Sequence, residues 1–441
     1  MINANKHSND NNLIEDLGII NGKVYMDGGF SNVNIYVKGE KISCITSEKL
    51  QCKKEVDAGG CMVLPGLIDP HVHFHLGVGD CVSSDDFHTG SIKAALGGVT
   101  TYIDFLDPIK KASQIDVAFD KRVKLAETSV TDYAFHTTIA NPVDSPIDII
   151  RASKKIGIPS IKLFTTYSNS DRRTGDNYIY ELLKCSKDEN IKVVVHAEND
   201  ELVSVKNDIL VKDHEKSRPV ISENIEVMKL ASMAKETGGN LYIVHVSAGS
   251  SVEKLVENFD HELISHQITL ESCPHYFIFN SSVYNQEDGY RYTMTPPLRP
   301  ETDRILLNRF IDYISTIGTD HCPFEEKFKN HKYTSDISMG IGGIQYSFLN
   351  MYSLFQEKII DKFTKGPAKA YGLYPTKGIL IPGADADILI FDDKAQTIIN
   401  ELESLYYGKT LQGAIKEVYL RGQLLVSDGE VHNISGKYIP R

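Results

Sequence analysis

The chain has 441 residues, of which 41% are hydrophobic and 24% are charged, a composition that excludes a fibrous or intrinsically disordered protein. One hydrophobic core rarely serves more than about 300 residues, so we expect a large domain with a smaller companion. The formal net charge of −12 argues against nucleic acid and anionic membranes as partners, because both attract clustered Lys and Arg. We expect a small substrate that is neutral or nearly so.

The cysteines and the N-terminus indicate the compartment. Seven cysteines form no CxxC pair, and their odd number favours reduced thiols over a disulfide framework. The N-terminal stretch MINANKHSNDNNLIEDLG lacks the apolar segment of a signal peptide, and no apolar run approaches membrane-spanning length. We therefore expect a cytoplasmic protein.

The first part of the chain, residues 1–66, is typical of short strands separated by turns, as in NGKVYMDGGF and VNIYVKGEKISCI. From about residue 63 the pattern changes to apolar, β-branched runs that alternate with amphipathic stretches, which predicts a parallel sheet built from βα units. We predict eight such strands, at residues 63–68, 99–105, 132–139, 160–166, 191–197, 241–247, 268–273 and 313–319. Eight parallel strands favour an α/β fold with a closed (β/α)₈ TIM-type barrel over residues 67–373.

One helix between the strands is well defined by its ends. We predict it over residues 222–239, with Ser222 as the N-cap, acidic residues in the first turn and glycines at the end. After residue 374 the pattern of strands and turns returns in KGILIPGADADILIFD and IKEVYLRGQLLVSDGEV. We predict that residues 1–66 and 374–441 together form one small β-sandwich domain beside the barrel.

Histidines end three of the predicted strands. His71 and His73 follow the first strand, and residues two apart in extended backbone face the same side, so both imidazoles can reach one ion. Many such pairs are incidental polar residues at a strand end, so the pair alone does not establish a metal site. His196 and His245 close two later strands, and the carboxyl ends of barrel strands share the face where barrel enzymes carry out their chemistry.

Two further polar residues lie at this predicted face. Asp320 follows the eighth strand, where a carboxylate can bind a metal and move a proton, or simply form a salt bridge. Lys162 is a cation inside the apolar strand around Ile161, and a buried ammonium either finds an acidic partner or loses its proton. The spacing alone favours a plain ion pair. A neutral lysine can instead react with CO₂, giving a carbamate whose two oxygens suit a bridge between two divalent metals.

Together the motifs resemble the hydantoinase/dihydropyrimidinase branch of the amidohydrolase superfamily. Those that carry the resemblance are, in chain order, PGLIDPHVHF, SSDDFHTGSIKAALGGVTTYIDF, IKLFTTY, VVVHAEN, IVHVS, SCPHYF, MTPPLR, TDHCPF, PGADADILIFD and LRGQLLVSDGE. Each motif alone is modest, but the ordered set spans nearly the whole chain.

The resemblance implies a binuclear metal site, with Zn²⁺ as the expected ion. One metal would be bound by His71, His73 and Asp320, the other by His196 and His245, and carboxylated Lys162 would bridge them. The implied reaction is the hydrolytic ring opening of a cyclic amide, a 5-substituted hydantoin or a dihydropyrimidine, to an N-carbamoyl amino acid by a hydroxide shared by the metals. The family also implies a homo-oligomer, either a dimer or a tetramer.

The resemblance also assigns roles around the metals. Asp320 would transfer the proton of the nucleophile to the leaving nitrogen, and Tyr167 would hydrogen-bond the developing oxyanion. Thr295 stands where the family usually has Ser, and Met339 where it usually has Asn; both positions bind the ring through main-chain groups.

Some positions depart from the family pattern and leave alternatives open. His75 stands where hydantoinases commonly have an acid and dihydroorotases an Arg, which counts against dihydroorotase. His275 stands where many hydantoinases have Gln and matches an allantoinase pattern. An allantoinase-type ureide hydrolase is therefore one alternative, and a non-catalytic scaffold related to dihydropyrimidinases is another.

Overall fold

The computed structural model of the protein describes residues 14–441. Most of the polar N-terminal stretch, on which the expected absence of a signal peptide rests, lies outside the described residues. The strands of the described part are, in chain order, β1 (Glu15–Ile20), β2 (Lys23–Met26), β3 (Gly29–Asn32), β4 (Asn34–Lys38), β5 (Lys41–Thr46), β6 (Cys52–Asp57), β7 (Met62–Pro65), β8 (Leu67–Asp69), β9 (Gly77–Val78), β10 (Cys81–Val82), β11 (Val99–Phe105), β12 (Asp132–Thr138), β13 (Ser160–Phe164), β14 (Lys192–His196), β15 (Leu241–Ile243), β16 (Ile268–Ser272), β17 (Thr316–Ile317), β18 (Ile388–Ile398), β19 (Thr410–Leu420), β20 (Gln423–Ser427) and β21 (Glu430–Val431).

The α-helices of the same residues lie mainly between the strands of the central sheet. They are α1 (Phe87–Leu96), α2 (Ile115–Ala126), α3 (Pro146–Lys155), α4 (Asp176–Asp188), α5 (His214–Ser217), α6 (Val220–Thr237), α7 (Gly249–Ile264), α8 (Pro274–Ile278), α9 (Glu301–Arg309), α10 (Glu326–Lys329), α11 (Ser347–Phe355), α12 (Ile360–Phe363) and α13 (Lys365–Ala370). Within residues 14–441, no helix is long and apolar enough to cross a lipid bilayer.

The central sheet is a barrel of eight parallel strands in the order β17-β16-β15-β14-β13-β12-β11-β8. Its first and last strands meet just beyond their carboxyl ends, where the Asp320 N–H donates to the His71 carbonyl at 2.8 Å and the His73 N–H to the His321 carbonyl at 2.9 Å. These hydrogen bonds bring the two edges together, and the predicted (β/α)₈ TIM-type barrel is confirmed.

Alternation along the strands decides which side chains face the barrel interior. In β13, Ile161 and Leu163 pack with the surrounding helices. In β14, Val194 belongs to a separate apolar cluster inside the barrel. Because residues two apart share a face, His196 lies on the inner face with Val194, and Lys162 points opposite to its helix-facing neighbours. Both polar side chains therefore enter the barrel from the inside of the sheet.

The two ends of the chain build two further sheets beside the barrel. One has the strand order β5-β4-β1-β6, and the other the order β21-β20-β19-β18-β7-β2-β3. The second sheet joins both ends of the chain, because β7 pairs with β18 on one side and with β2 on the other. Apolar side chains from both sheets, including Ile19, Ile35 and Ile388, form one buried cluster between them. The domain limits at residues 66 and 373 stay a prediction.

The strand predicted at residues 63–68 is in fact two strands in different sheets. β7 belongs to the terminal sheet and β8 to the barrel, with Gly66 between them. A Cβ at Gly66 would lie 2.3 Å from the Thr100 hydroxyl oxygen, so only glycine lets the backbone pass this close to β11. The apolar run hides this change of sheet, since both strands are buried.

Other predicted bounds are also corrected. The strands predicted at 241–247 and 313–319 are limited to β15 and β17, because the chain turns toward the cavity after each of them. The helix predicted over residues 222–239 is α6, which begins at Val220 after Pro219. Ser222 therefore does not cap it; its hydroxyl lies inside the first turn and donates to the Asn199 carbonyl at 3.0 Å.

A buried ion network fastens the terminal sheets to the barrel. The Lys377 ammonium lies 2.8 Å from Asp132 at the start of β12, 2.7 Å from Asp387 just before β18, and 3.0 Å from Asp385. The Arg421 guanidinium also pairs with Asp132. The three carboxylates lie close enough to resemble a metal site, but the lysine ammonium lies among them, and Arg421 and Lys41 supply two further positive charges.

We predict that Lys377→Met will lower the free energy of unfolding by about 3–5 kcal/mol, because it leaves the buried carboxylate of Asp387 without its cation. Urea unfolding followed by circular dichroism measures the change. The matched control is Lys358→Met, which breaks an exposed pair with Asp312 at 3.4 Å and should change stability little. Equal effects of the two substitutions would contradict a special role for the buried network.

Candidate active site

A cavity of about 1180 Å³ opens at the end of the barrel where the strands finish. It is lined by every residue that the sequence singled out for a metal or a substrate: His71, His73, Lys162, Tyr167, His196, His245, Thr295, Asp320 and Met339. The cavity is large enough for a small organic molecule. The fold thus brings together residues that lie up to 268 positions apart in the chain.

The tightest cluster in the cavity is formed by His71, His73 and Asp320. The Asp320 Oδ1 atom lies 3.2 Å from His71 Nε2 and 3.1 Å from His73 Nε2, and the two Nε2 atoms are 3.3 Å apart. A tetrahedral zinc ion with bonds near 2.0–2.1 Å has its ligand atoms about 3.3 Å from one another. The three atoms therefore fit the coordination shell of one divalent ion.

A buried carboxylate orients His71. Glu271, in β16, has its Oε1 atom 2.7 Å from His71 Nδ1 and accepts the Tyr242 hydroxyl at 2.7 Å through the other oxygen. With Nδ1 bound to Glu271, the Nε2 lone pair of a neutral His71 is free for a metal, which is how carboxylates commonly support a metal-binding histidine. Sequence reasoning missed Glu271, although an acid inside the apolar run ITLES is an unusual feature.

Close packing at the end of β17 also depends on one residue without a side chain. A Cβ at Gly318 would lie 2.8 Å from the His71 Cβ and 2.9 Å from the Glu271 carboxyl carbon. Glycine at this position lets the chain that carries Asp320 approach the other ligands.

The charges around His71 favour a cation. Burial by itself lowers the pKa of His71, but the carboxylates of Glu271 and Asp320 outweigh burial and raise the pKa to about 9. Burial opposes ionisation of Asp320, yet His71 and His73 hold the pKa of its carboxyl well below the usual range. The position between these groups is therefore suited to a positive charge, either a proton or a metal ion.

The second pair of histidines, His196 and His245, lies beside the first cluster. Their ring centroids are 4.6 Å apart, and His245 is 5.5 Å from His71. His196 Nε2 lies 2.8 Å from Glu198 Oε2, which leaves Nδ1 for a metal, and Glu198 is paired with Arg218.

Burial keeps this pair in the form that binds metals. It lowers the pKa of His196 and of His245 below the usual histidine value, so both imidazoles are neutral at pH 7. His245 Nδ1 is buried and has no hydrogen-bond partner within residues 14–441. An unsatisfied imidazole nitrogen in a polar cluster fits a site that binds a further group.

Lys162 lies in the same cluster and is 2% exposed. Its ammonium nitrogen is 5.4 Å from the Phe105 ring centroid and 5.5 Å from that of Phe164. In the described part of the chain no carboxylate lies within 4.0 Å of it, so the plain ion pair that the spacing favoured is absent there. Burial lowers the pKa of Lys162 to about 8, which puts a sizeable neutral fraction within reach of physiological pH.

Tyr167 and Thr295 form a polar edge of the cavity beside His196. Their side-chain oxygens are 2.7 Å apart, and the Tyr167 ring lies 5.1 Å from the His196 ring. The Arg218 guanidinium stacks 5.3 Å from the centroid of the tyrosine ring. The hydroxyl of Tyr167 is thereby held at the cavity surface next to the second pair of histidines.

Several candidate residues have a left-handed backbone. The φ angle is 71° at Tyr167, 39° at His245 and 51° at Asp320. Residues other than glycine rarely adopt this conformation, and such positions are concentrated at functional sites, where the surrounding fold holds the strained backbone. A residue in the left-handed region cannot continue an extended strand, and β15 and β17 accordingly end before His245 and Asp320.

The two unusual histidines of the sequence occupy different surroundings. His75 is exposed at the rim of the cavity, and its carbonyl accepts a hydrogen bond from Arg122 at 3.3 Å. His275 lies in α8, is 2% exposed and is absent from the lining of the cavity; burial lowers its pKa to about 4. Of the positions that depart from the family pattern, His75 and Met339 line the cavity and His275 does not.

Comparison with known proteins relates this site to a family of enzymes. Residues 62–425 match the model of the amidohydrolase family. The chain is 30% identical over 423 residues to the D-phenylhydantoinase of Escherichia coli O81 (strain ED1a), and the match covers 89% of each chain.

Solved structures agree with this relationship. The D-hydantoinase from Bacillus sp. AR9 superimposes with a TM-score of 0.90 at 28% identity, over 97% of this chain and 99% of that one. The L-hydantoinase (dihydropyrimidinase) from Arthrobacter aurescens superimposes with a TM-score of 0.84 at 25% identity, over 97% of this chain and 100% of that one.

We predict that Glu271→Gln will weaken metal binding by about 10–100-fold, because the amide no longer supports the basicity of His71. Competition with a fluorescent chelator measures the affinity of the protein for zinc. Glu262→Gln is the matched control, since Glu262 in α7 pairs with Lys235 of α6 outside the cavity lining. Unchanged zinc affinity in Glu271→Gln would show that His71 needs no orienting carboxylate.

Proposed function

We propose that this chain, which belongs to the amidohydrolase family and is a cyclic amidohydrolase of the hydantoinase/dihydropyrimidinase type, opens 5-substituted hydantoins or dihydropyrimidines to N-carbamoyl amino acids. The observation that carries the proposal is the cluster of His71, His73 and Asp320, whose ligand atoms lie 3.1–3.3 Å apart in a cavity of the right size. A binding protein for a neutral ring has no need for such a cluster.

The proposed cofactors are two divalent metal ions per chain, with zinc suited to imidazole and carboxylate donors. His71, His73 and Asp320 would hold one ion, His196 and His245 the other, and Lys162, carboxylated by CO₂, would link them. When bound, the ions supply a hydroxide near neutral pH and polarise the scissile carbonyl. The low pKa of Lys162 supports carboxylation, because only the neutral amine attacks CO₂.

Asp320 is the proposed proton carrier. Its side chain is 16% exposed to the cavity, and its carboxylate stays ionised because of the neighbouring histidines. It would accept the proton of the attacking hydroxide as the new C–O bond forms at the ring carbonyl. It would then deliver that proton to the ring nitrogen as the C–N bond breaks, so that the products are a carboxylate and a ureido group.

Tyr167 is the proposed donor to the oxyanion. Its hydroxyl can donate either to Thr295 or to the oxygen on which negative charge develops in the transition state, and this is the kind of contact that accelerates acyl transfer most. The ring itself would be bound by main-chain groups at Thr295 and Met339. Because the ring would contact the main chain and not the side chain at this position, Met339 can replace the Asn that is usual in the family.

The alternatives have less support. His275 left an allantoinase-type activity open, but this residue is absent from the lining of the cavity. A non-catalytic scaffold would not need the full set of ligand-type residues that this cavity retains. The homo-oligomer, dimer or tetramer, and the cytoplasmic location stay predictions.

We predict that metal-stripped protein will regain activity faster as the pH is raised from about 6 to about 8, at a fixed concentration of dissolved CO₂ and saturating zinc. Below its pKa of about 8, the neutral fraction of Lys162 rises about tenfold per pH unit. Lys162→Ala should regain no activity at any pH and should bind fewer than two ions. A reactivation rate that does not change with pH, or a fully active Lys162→Ala, would exclude the carbamate.

Tyr167→Phe should lower kcat by about 100- to 1000-fold while the metal content stays unchanged, because it removes one donor to the oxyanion. Steady-state kinetics and elemental analysis on the same preparation measure both quantities. Tyr178→Phe is the control, since Tyr178 lies in α4 outside the cavity lining. If Tyr167→Phe retains the wild-type kcat, the oxyanion is stabilised without this hydroxyl.

Neutral rings should be the preferred substrates. Dihydrouracil and 5-substituted hydantoins should exceed dihydroorotate in kcat/KM by at least about tenfold, because a carboxylate beside the metals needs a bidentate Arg that position 75 lacks. The buried arginines of the cavity, Arg122 and Arg218, already pair with Asp104 and Glu198. Allantoin should fall between the two groups. Preference for dihydroorotate, measured at equal metal content and neutral pH, would overturn the assignment.

A further inference from the structure

Behind the cavity wall lies a lysine that the proposed mechanism does not use. Lys329 ends α10 and is 4% exposed. Its ammonium donates to the Thr293 carbonyl at 2.7 Å, the Thr293 hydroxyl at 2.8 Å, the Ser338 carbonyl at 3.1 Å and the Gly340 carbonyl at 3.0 Å. Over residues 14–441 no carboxylate lies within 4.0 Å of this ammonium, so its direct hydrogen-bond partners are neutral oxygens.

The acceptors of Lys329 belong to two segments that line the cavity. Thr293 precedes Met294 and Thr295, and Ser338 and Gly340 flank Met339; Met294, Thr295 and Met339 all line the cavity. The segments also contact each other directly, because the Gly340 N–H donates to the Thr293 carbonyl at 3.1 Å. Lys329 therefore joins the two stretches of backbone that would bind the ring.

Neighbouring side chains hold the remaining carbonyls of the first segment. His214 Nε2 lies 2.8 Å from the Met294 carbonyl, and the Tyr276 hydroxyl donates to the Pro296 carbonyl at 2.7 Å. With Lys329 on Thr293, carbonyls on both sides of Thr295 are fixed by buried side chains. Because hydrogen bonds from three side chains hold these carbonyls, the orientation of the main chain at Thr295 is tightly fixed.

We propose that Lys329 is a positioning residue for substrate recognition, whose ammonium holds the main chain around Thr295 and Met339 in the arrangement that binds the ring. The inference rests on the proposed function for its substrate, but its structural part does not depend on any activity. Lys329 itself lies outside the lining of the cavity, and it would act only through the two segments.

The oxygens around Lys329 are buried and need hydrogen-bond donors. Burial lowers the pKa of Lys329 to about 7, although Cys322 and Glu326 act in the opposite direction. The four oxygens around the nitrogen supply hydrogen bonds in place of water. Removing the ammonium leaves the buried Ser338 and Gly340 carbonyls without this donor, at about 1–3 kcal/mol for each unsatisfied group, whereas the Thr293 carbonyl keeps the Gly340 N–H. The two segments would then relax, and their contacts with the ring would weaken.

The expected kinetic signature is a change in KM rather than in kcat. Main-chain contacts to the ring are made equally in the ground state and the transition state, so their loss raises KM with kcat nearly unchanged. The metals, Asp320 and Tyr167 are held by other elements, and their contribution to kcat should persist.

The test compares Lys329→Met with Lys362→Met. Lys362 is another buried lysine, 9% exposed, that donates to the Ile314 carbonyl outside the cavity lining, so its variant controls for the loss of a buried ammonium. Thr293→Val, which removes the hydroxyl that accepts from Lys329 and donates to the Tyr290 carbonyl at 2.7 Å, is a milder second variant. Each protein, loaded with zinc, is studied by hydrogen–deuterium exchange of the peptides covering residues 293–296 and 338–341, and by steady-state hydrolysis of dihydrouracil and a 5-substituted hydantoin.

We expect Lys329→Met to speed exchange in both peptides and to raise KM at least about tenfold with kcat within about threefold of wild type. Thr293→Val should shift both readouts in the same direction by less, and Lys362→Met should shift neither. Unchanged exchange at residues 293–296 and 338–341 in Lys329→Met would overturn the inference, and so would a fall in kcat at constant KM. If Lys329→Met fails to fold, Thr293→Val with wild-type exchange and KM overturns it as well. Wild-type protein that hydrolyses neither ring contradicts the proposed function only, because the exchange experiment still decides the role of Lys329.

Discussion

The pairing of main chain at residues 71–73 with that at residues 320–321 is the contact on which the site depends. These hydrogen bonds close the barrel and at the same time place the Asp320 carboxylate within 3.2 Å of His71 and His73. The same contacts therefore close the barrel and bring the ligands together, since the closing hydrogen bonds are made by the backbone of His71, His73 and Asp320. Gly318 permits this close approach, and the left-handed backbone at Asp320 turns its side chain toward the histidines.

A second principle is the placement of buried acids behind the histidines. Glu271 and Glu198 each accept from one ring nitrogen of a histidine and leave the other nitrogen for the cavity. They also set the electrostatics, because a buried carboxylate stabilises a nearby positive charge. In the absence of a metal this effect raises the pKa of His71. The same potential favours a divalent ion, so orientation and affinity have a common source.

The cavity separates chemistry from recognition. Side chains at the ends of the barrel strands provide the metal-type ligands and the proposed proton carrier, and they lie on rigid elements. The ring, in contrast, would be bound by backbone around Thr295 and Met339, which lies on irregular segments that need support from buried side chains such as Lys329 and His214. Under the proposed function, this division would let the residue at position 339 vary without loss of the main-chain contacts to the ring.

Much of this architecture could be predicted from the sequence, because local patterns report it. Period-two alternation and apolar runs indicated the barrel strands, and histidines at their carboxyl ends indicated one face of the barrel. Where the local pattern gives no information, the prediction was wrong or incomplete. One buried apolar run conceals the change of sheet at Gly66, and α6 begins at Val220 after Pro219. The position of His275 outside the cavity depends on packing.

The sequence by itself determined the order of the elements, the family resemblance and the candidate ligands, since each depends only on residue type and spacing. Only the tertiary structure decided that Glu271 supports His71, that Lys162 has no acidic partner among the described residues, and that Lys329 connects the segments of Thr293 and Gly340. These are contacts between residues far apart in the chain, whose geometry depends on how strands register and loops pack. No local pattern encodes such distances, because the same side chains could meet many different partners until the barrel closes.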